Sequence, residues 1–305
     1  GLLRREVTRI VTPGIAADES LLDPDRRNFL VAMVPGRRRG DDEQQNVGLA
    51  WIDVAAGRFE AAVVTRDDVT DHLLRLDPSE VLCAERDRED VQSLVRAAGS
   101  SRVMTSRPDW WFEPATVEAA LGRALGGRRL EGLGFEPDAD ALGLTAAGGV
   151  VAYLEENEPA AVGRIDSLGP WRPGLRMEID EASRRSLELL KSTATGRRDG
   201  SLAGVLDRTK TPMGARLLGE WISSPLVDKA AIDDRLDAVE TLVKDGSLAA
   251  RLAEKLSGIG DLERLTGRVV TGRAGPRDLE RIGQATAVLP ELLALLDGRG
   301  GLLDE

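Results

Sequence analysis

Apolar positions fall in two rhythms along this chain. Through the first half they come in short β-rich blocks. Arg4–Val11 alternates like a sheet strand and ends at the turn residues Thr12-Pro-Gly14, after which a helix capped near Asp18 is expected. Asn28–Pro35 and Asn46–Val54 are apolar runs separated by the polar segment 36–45, the pattern of a hairpin with a long solvated loop. Gly57–Val64 supplies a third strand and Asp67–Leu76 a helix. Glu80–Ala84, Arg88–Ala98 and Arg102–Thr105 then read as strand, helix and strand, an alternation that implies parallel pairing within a mixed sheet. Helical periodicity follows over Pro114–Leu125 and about Leu144–Glu156.

Ser167-Leu-Gly-Pro-Trp-Arg-Pro-Gly174 is the densest cluster of helix and strand breakers, and a domain boundary is placed there. Beyond it only helices are expected. Thr211-Pro212 offers a capping hydroxyl and a first-turn proline, after which Met213, Leu217, Leu218, Trp221 and Ile222 share one face, expected to pack, until Pro225. Ile232, Leu236, Val239, Leu242 and Val243 repeat the idea over Asp228–Lys244, and Gly275-Pro276 opens a further helix through Leu279 and Ile282. The fold class is therefore an α/β module followed by an all-α module, and no repeat of fixed period points to a solenoid.

The length of 305 residues suits two cores, and 42% hydrophobic with 30% charged residues suits a globular chain. Cys83 and His72 are each the single residue of their kind. That removes intrachain disulfides, His/Cys zinc sites and histidine-based triads. Cys83, inside Glu80-Val-Leu-Cys-Ala84, reads as a core thiol, and His72 as a surface or satisfied side chain. No apolar run approaches the ~20 residues of a membrane span, and Gly1-Leu-Leu-Arg-Arg5 does not resemble a signal peptide, so a cytoplasmic setting is expected. The net charge of -11 opposes tight, self-sufficient nucleic-acid binding. Both chain ends read as cuts through a pattern.

Few residues suggest chemistry. Gly126-Gly127 and Gly148-Gly149 lack the Gly-Lys-Ser/Thr ending of a phosphate loop and read as turn or helix contacts. Asp53 ends a strand that starts an α/β unit, the placement of a Mg²⁺-binding carboxylate in RNase H-like nucleases, yet Glu80, Glu85 and Asp109 carry no spacing that marks them as its partners. Support of the turn Ala55-Ala-Gly57 is the simpler role. Trp110-Trp111-Phe112 has no interleaved cations and reads as packing, and Arg37-Arg-Arg39 is followed at once by Asp41-Asp-Glu43, a solvated loop. Arg184, Arg185, Lys191, Arg197 and Arg198 form the one sustained basic region. Helical spacing would bring Arg184, Leu187 and Lys191 together with Leu187 packed, facing either DNA or salt-bridge partners.

The order of several segments resembles the MutS family of bacterial DNA mismatch-recognition proteins. They are Arg5-Glu-Val-Thr-Arg-Ile-Val-Thr-Pro-Gly14 with Asp18-Glu-Ser-Leu-Leu22, Val47-Gly-Leu-Ala-Trp-Ile-Asp-Val54 with Gly57-Arg-Phe59, Met177-Glu-Ile-Asp-Glu-Ala-Ser-Arg-Arg-Ser-Leu-Glu-Leu189, the long stretch from Ser201 to Leu218, and Ile259-Gly-Asp-Leu-Glu-Arg264. The resemblance implies that 1–17 is the tail of a mismatch-binding domain, 18–170 a connector of RNase H-like fold, and 171–305 the start of a helical core/lever domain. It implies a parent that binds mismatched DNA, uses ATP and Mg²⁺, dimerises through an ATPase domain and recruits MutL through the connector. The Phe-x-Glu wedge, the clamp and the Walker motifs fall outside this sequence. The residues themselves imply no catalytic, metal or cofactor site on the chain. The enzyme alternative is a free-standing Mg²⁺-dependent nuclease using Asp53, and an interaction-only alternative is an independent adaptor. A fragment, unlike an adaptor, is expected to expose apolar faces on its C-terminal helices.

Overall fold

A computed structural model describes residues 12–16, 22–37, 46–99, 102–163, 165, 167–172, 174, 176–299 and 301–303. The strand expected over residues 4–11 and the helix start near Asp18 lie outside the described residues, as do Arg38 and Arg39. Contacts divide the chain into two compact units: one built on Asn28–Trp171, the other on Arg172–Val269 and the residues from Arg273 onward, together with Asp23–Arg27.

The first unit is a six-stranded mixed sheet of order β5-β4-β1-β2-β3-β6. Strands β1 (Phe29–Pro35) and β2 (Asn46–Asp53) form the expected antiparallel hairpin, from Phe29 opposite Asp53 to Pro35 opposite Val47. β3 (Arg58–Thr65) continues the meander, while β4 (Glu80–Ala84) and β5 (Val103–Arg107) add in parallel beside β1. One strand was not foreseen. β6 (Ser167–Pro170), inside the breaker cluster, pairs in parallel with β3 and buries Leu168. A four-residue edge strand tolerates its glycine and proline, which is why composition read it as a linker.

Alternation along the strands builds two cores. Leu30, Ala32, Ala50, Ile52 and Phe59 face one side with helices α3 (Pro114–Ala124) and α4 (Ala141–Asn157). Val31, Met33, Leu49, Trp51 and Cys83 face the other, with α1 (Val69–Leu76) and α2 (Arg88–Ala97). Helix α4 is apolar nearly all round and lies close against the sheet. A Cβ on Gly48 of β2 would sit 2.1 Å from the Leu142 carbonyl oxygen, and one on Gly149 would sit 2.3 Å from the Phe112 ring. Gly148 and Gly149 are therefore close-packing positions within α4, and Gly126 and Gly127 form a turn with φ of 59° and 80°. Short helix α5 (Pro159–Val162) follows.

The second unit is helical: α6 (Glu181–Ser186), α7 (Leu202–Leu206), α8 (Pro212–Ser223), α9 (Lys229–Lys244), α10 (Gly246–Ser257), α11 (Leu262–Val270) and α12 (Pro276–Leu296). Side-chain caps start most of them. Thr211 accepts from Gly214 N with Pro212 in the first turn, and Asp180, Ser201, Asp228 and Asp245 cap α6, α7, α9 and α10. The small core gathers Leu248, Leu252, Ile259, Ala285, Leu292 and Leu295. The apolar faces expected on α8 and α9 are packed only in part. Leu217 and Trp221 are partly exposed, and Leu236, Val239 and Val243 are exposed, whereas α8 buries Ala215 and Arg216.

The close approach of α4 to β2 gives a direct test. Gly48→Ala should destabilise the sheet unit by about 1–3 kcal/mol, the usual cost of overpacking. Gly122→Ala, on α3 where a Cβ meets nothing within 4 Å, should be neutral or stabilising by up to ~1 kcal/mol through helix propensity. Urea unfolding of the two variants separates them.

Candidate functional site

The four carboxylates of the nuclease alternative do not converge. Asp53 and Phe29 are cross-strand partners, whereas Glu80 is in register with Leu30, so the two acids point to opposite faces of the sheet. Asp53 Oδ1 accepts from the backbone N–H groups of Ala55 at 3.0 Å and Ala56 at 3.3 Å, which makes it the brace of its own turn. Glu80, fully buried, accepts from Gly14 N at 3.0 Å, Thr105 Oγ1 at 2.5 Å and Tyr153 OH at 2.8 Å. It fastens the turn Pro13–Ile15, β5 and α4 together. Asp109 accepts from Arg86 N at 2.9 Å, and Glu85 is exposed on a separate short 3-10 turn. Among the described residues no group of three or more His, Cys, Asp or Glu could hold a metal ion.

Trp111 and Phe112 pack in the sheet core as expected, while Trp110 stays largely exposed, edge-on to Trp111. His72 is buried between Trp51 and Trp171, with the Arg75 guanidinium 3.2 Å from its Nδ1. Cys83 is fully buried, and desolvation first, then the nearby Asp87, pushes its thiol from an ordinary 9.0 up to about 11. Burial first, then interactions that include Glu80, pushes the Tyr153 phenol from 10.0 up to about 12.

The basic segment is folded differently from the continuous helix its spacing suggests. Helix α6 ends at Ser186, and Glu188 adopts φ of 46°, with its carboxylate captured by Thr193 N at 2.6 Å and by the Thr193 hydroxyl. The chain then folds back, so that Leu202 N donates to Glu188 O and Ala203 N to Leu189 O. Arg184, Leu187 and Lys191 therefore do not share a helical face, and Leu187 is 58% exposed rather than packed. Arg184 is an internal fastener, its guanidinium donating to Ile179 O at 3.0 Å and Ser223 O at 2.9 Å. Arg198 pairs with Asp207. Arg185 and Lys191 are exposed, and Arg197 is exposed beside Asp199 at 3.8 Å.

The most elaborate polar site of the helical unit was not foreseen. Arg216, on the buried side of α8, has a side chain 1% exposed. Its guanidinium takes Asp261 in a bidentate grip at 2.6 and 2.7 Å, reaches Glu263 at 2.7 Å and donates to Pro24 O at 2.9 Å. Arg264 donates to Asp23 O at 2.6 Å and Arg26 O at 3.0 Å, and Arg27 completes the cluster on Glu263 at 2.8 Å. The carboxylates hold Arg216 charged against desolvation, shifting its ionisation upward. The signal lay in Gly260-Asp-Leu-Glu-Arg264, but nothing in local spacing links it to α8 or to residues 23–27.

Two family models match the chain in order: MutS domain II over residues 28–166 and MutS domain III over residues 182–303. The DNA mismatch repair protein MutS of Rhodopirellula baltica is 39% identical over 98% of this chain and 34% of its own length. Its counterpart from Chlorobaculum tepidum is 34% identical over 99% of the chain and 34% of its own. That of Salinibacter ruber is 35% identical over 99% and 33%. The chain thus spans about a third of the length of these relatives.

Two outcomes test the geometry. Labelled DNA incubated with the chain and Mg²⁺ should remain uncut, and Asp53→Asn should register only as a loss of about 1 kcal/mol in urea unfolding. Stability should hold up to pH 9. Above it the unfolded thiol and then the unfolded phenol lose protons that the folded Cys83 and Tyr153 keep, so stability falls until pH passes their folded values of about 11 and about 12. A pH series of melting curves checks this, and Cys83→Ala should remove the onset at pH 9.

Proposed function

The chain belongs to the MutS family as its domain II followed by its domain III, and we propose that it is the coupling section of a mismatch-repair protein. In this reading the whole protein binds mismatched double-stranded DNA, binds and hydrolyses ATP with Mg²⁺ as a homodimer, and recruits MutL through the sheet unit. The ATPase domain is not among the two matched regions, so the chain's own task is mechanical: to link elements that bind DNA with elements that bind nucleotide. The ordered match of two consecutive family domains across residues 28–303 carries the proposal. A helical unit joined by caps, ion clusters and a modest apolar core suits such a task, because packed helices of this kind shift between discrete arrangements. No helix among the described residues is long and apolar enough to cross a membrane, and a cytoplasmic setting belongs to the same reading.

Within the basic segment Arg185, Lys191 and Arg197 are exposed, which supports them as the cations that would meet phosphate. Arg184 and Arg198 serve the loop's own fold.

A chimera tests the proposal. Residues 28–303 replace the corresponding region of the Rhodopirellula baltica relative, and mismatch-stimulated ATP hydrolysis is measured. Stimulation is the expected result. ATP and mismatch binding that are both intact yet uncoupled would overturn it. In the same chimera Arg197→Glu should reduce the slope of log affinity against log salt by about 1 if that residue meets a phosphate, at unchanged melting temperature.

A further inference from the structure

We infer that the helical unit contains a binding site for a short backbone turn, occupied by the chain's own residues 23–27 as a detachable latch. The ligand chemistry is specific. Asp23, Pro24 and Arg26 present main-chain carbonyls to Arg264 and Arg216, and Arg27 presents its charge to Glu263. Apart from the proline ring, Asp23-Pro-Asp-Arg-Arg27 has no apolar side chain to anchor it, and Asp23 and Pro24 are exposed. Hydrogen bonds and ionic contacts therefore do the holding, and these can open without exposing a core.

The receptor keeps its charge pairing when the latch is absent, although Arg264 gives up the Asp23 and Arg26 carbonyls. Arg216 keeps both oxygens of Asp261 and one of Glu263, and Arg264 keeps Asp261 at 3.7 Å. Two arginines facing two carboxylates form a charge-balanced group by themselves, so departure of the latch strands no buried ion. Arg27 adds a further positive charge, offered to the less buried of the two acids. One residue on, Asn28 belongs to the sheet unit, where it donates to Pro13 O and Ala16 O. Leu22, before the latch, belongs to the same unit, so opening the latch would leave five residues, roughly 17 Å of extended chain, as a free loop. The inference stands on this geometry and does not require the DNA or ATP reading.

Trypsin reads the latch directly, since Arg26 and Arg27 are its substrates. In the intact chain, cleavage after Arg26 should be slow under native conditions. Arg27→Gln should accelerate it by roughly tenfold, the size expected for losing one charge-assisted contact, with the melting temperature and cleavage within α8–α12 unchanged; Glu263→Gln, which also takes a contact from Arg216, should accelerate it at least as much, at a lower melting temperature. The double variant should be no faster than Glu263→Gln alone, because both substitutions remove the same pair. Wild-type cleavage as fast as that of the variants would overturn the inference, as would acceleration at Arg26 that merely follows general cleavage of the helical unit. Arg27→Gln alters only the latch, so misfolding of the receptor cannot mimic the result.

Discussion

An ionisable side chain taken out of water must find its partners within hydrogen-bond reach, and each unit of this chain is organised around one that does. In the sheet unit the residue is Glu80, which gathers a backbone N–H from Gly14, a hydroxyl from Thr105 and the phenol of Tyr153. In the helical unit it is Arg216, which gathers Asp261, Glu263 and the carbonyl of Pro24. Partners come from positions 66 and 73 residues away in the first case and 192 away in the second. Removing a charged partner such as Asp261 leaves the rest buried and uncompensated, which costs more than an exposed pair would contribute. These two sites therefore fix which remote segments belong together, a task that apolar contact performs less selectively.

Much of the fold was legible because it is written in local periodicity. The hairpin of β1 and β2, the parallel addition of β4 and β5, and the caps at Thr211 and Asp228 all follow from residues within a few positions of one another. What was hidden depends on distance. The spacing of Arg184, Leu187 and Lys191 fits a helix perfectly well, but Glu188 finds a better arrangement in the left-handed region once Thr193 holds its carboxylate and Leu202 returns to its carbonyl. Likewise α8 carries a regular apolar stripe yet turns Arg216 inward, because carboxylates from the start of α11 outweigh what Leu217 and Trp221 would gain by full burial. Periodicity locates a helix; it does not say which side of it faces in when an ionic cluster competes.

The carboxylates show the same lesson from the functional side. Asp53 and Glu80 sit near one end of adjacent strand pairs, and a list of acids at strand ends makes them look like a metal site. Strand pleat separates them, since partners of Phe29 and of Leu30 point to opposite faces. The acids serve the fold, which agrees with membership in a family whose matched domains here are II and III.

Helix α9 carries this one step further. Its start is capped by Asp228, its surface bears the pairs Lys229 with Asp233 and Lys244 with Glu240, and Leu236, Val239 and Val243 remain exposed. Pairs of that kind contribute about 0.2–0.5 kcal/mol each, too little to hold a helix that is marginal in water on its own. Partial burial against the rest of the unit supplies the remainder, and the outward apolar stripe adds nothing while it faces solvent. An unburied stripe of regular spacing on a well-capped helix thus marks a surface whose stabilising potential is unused among the described residues. The helix is specified by its caps and charges, and its apolar face stays available to further packing.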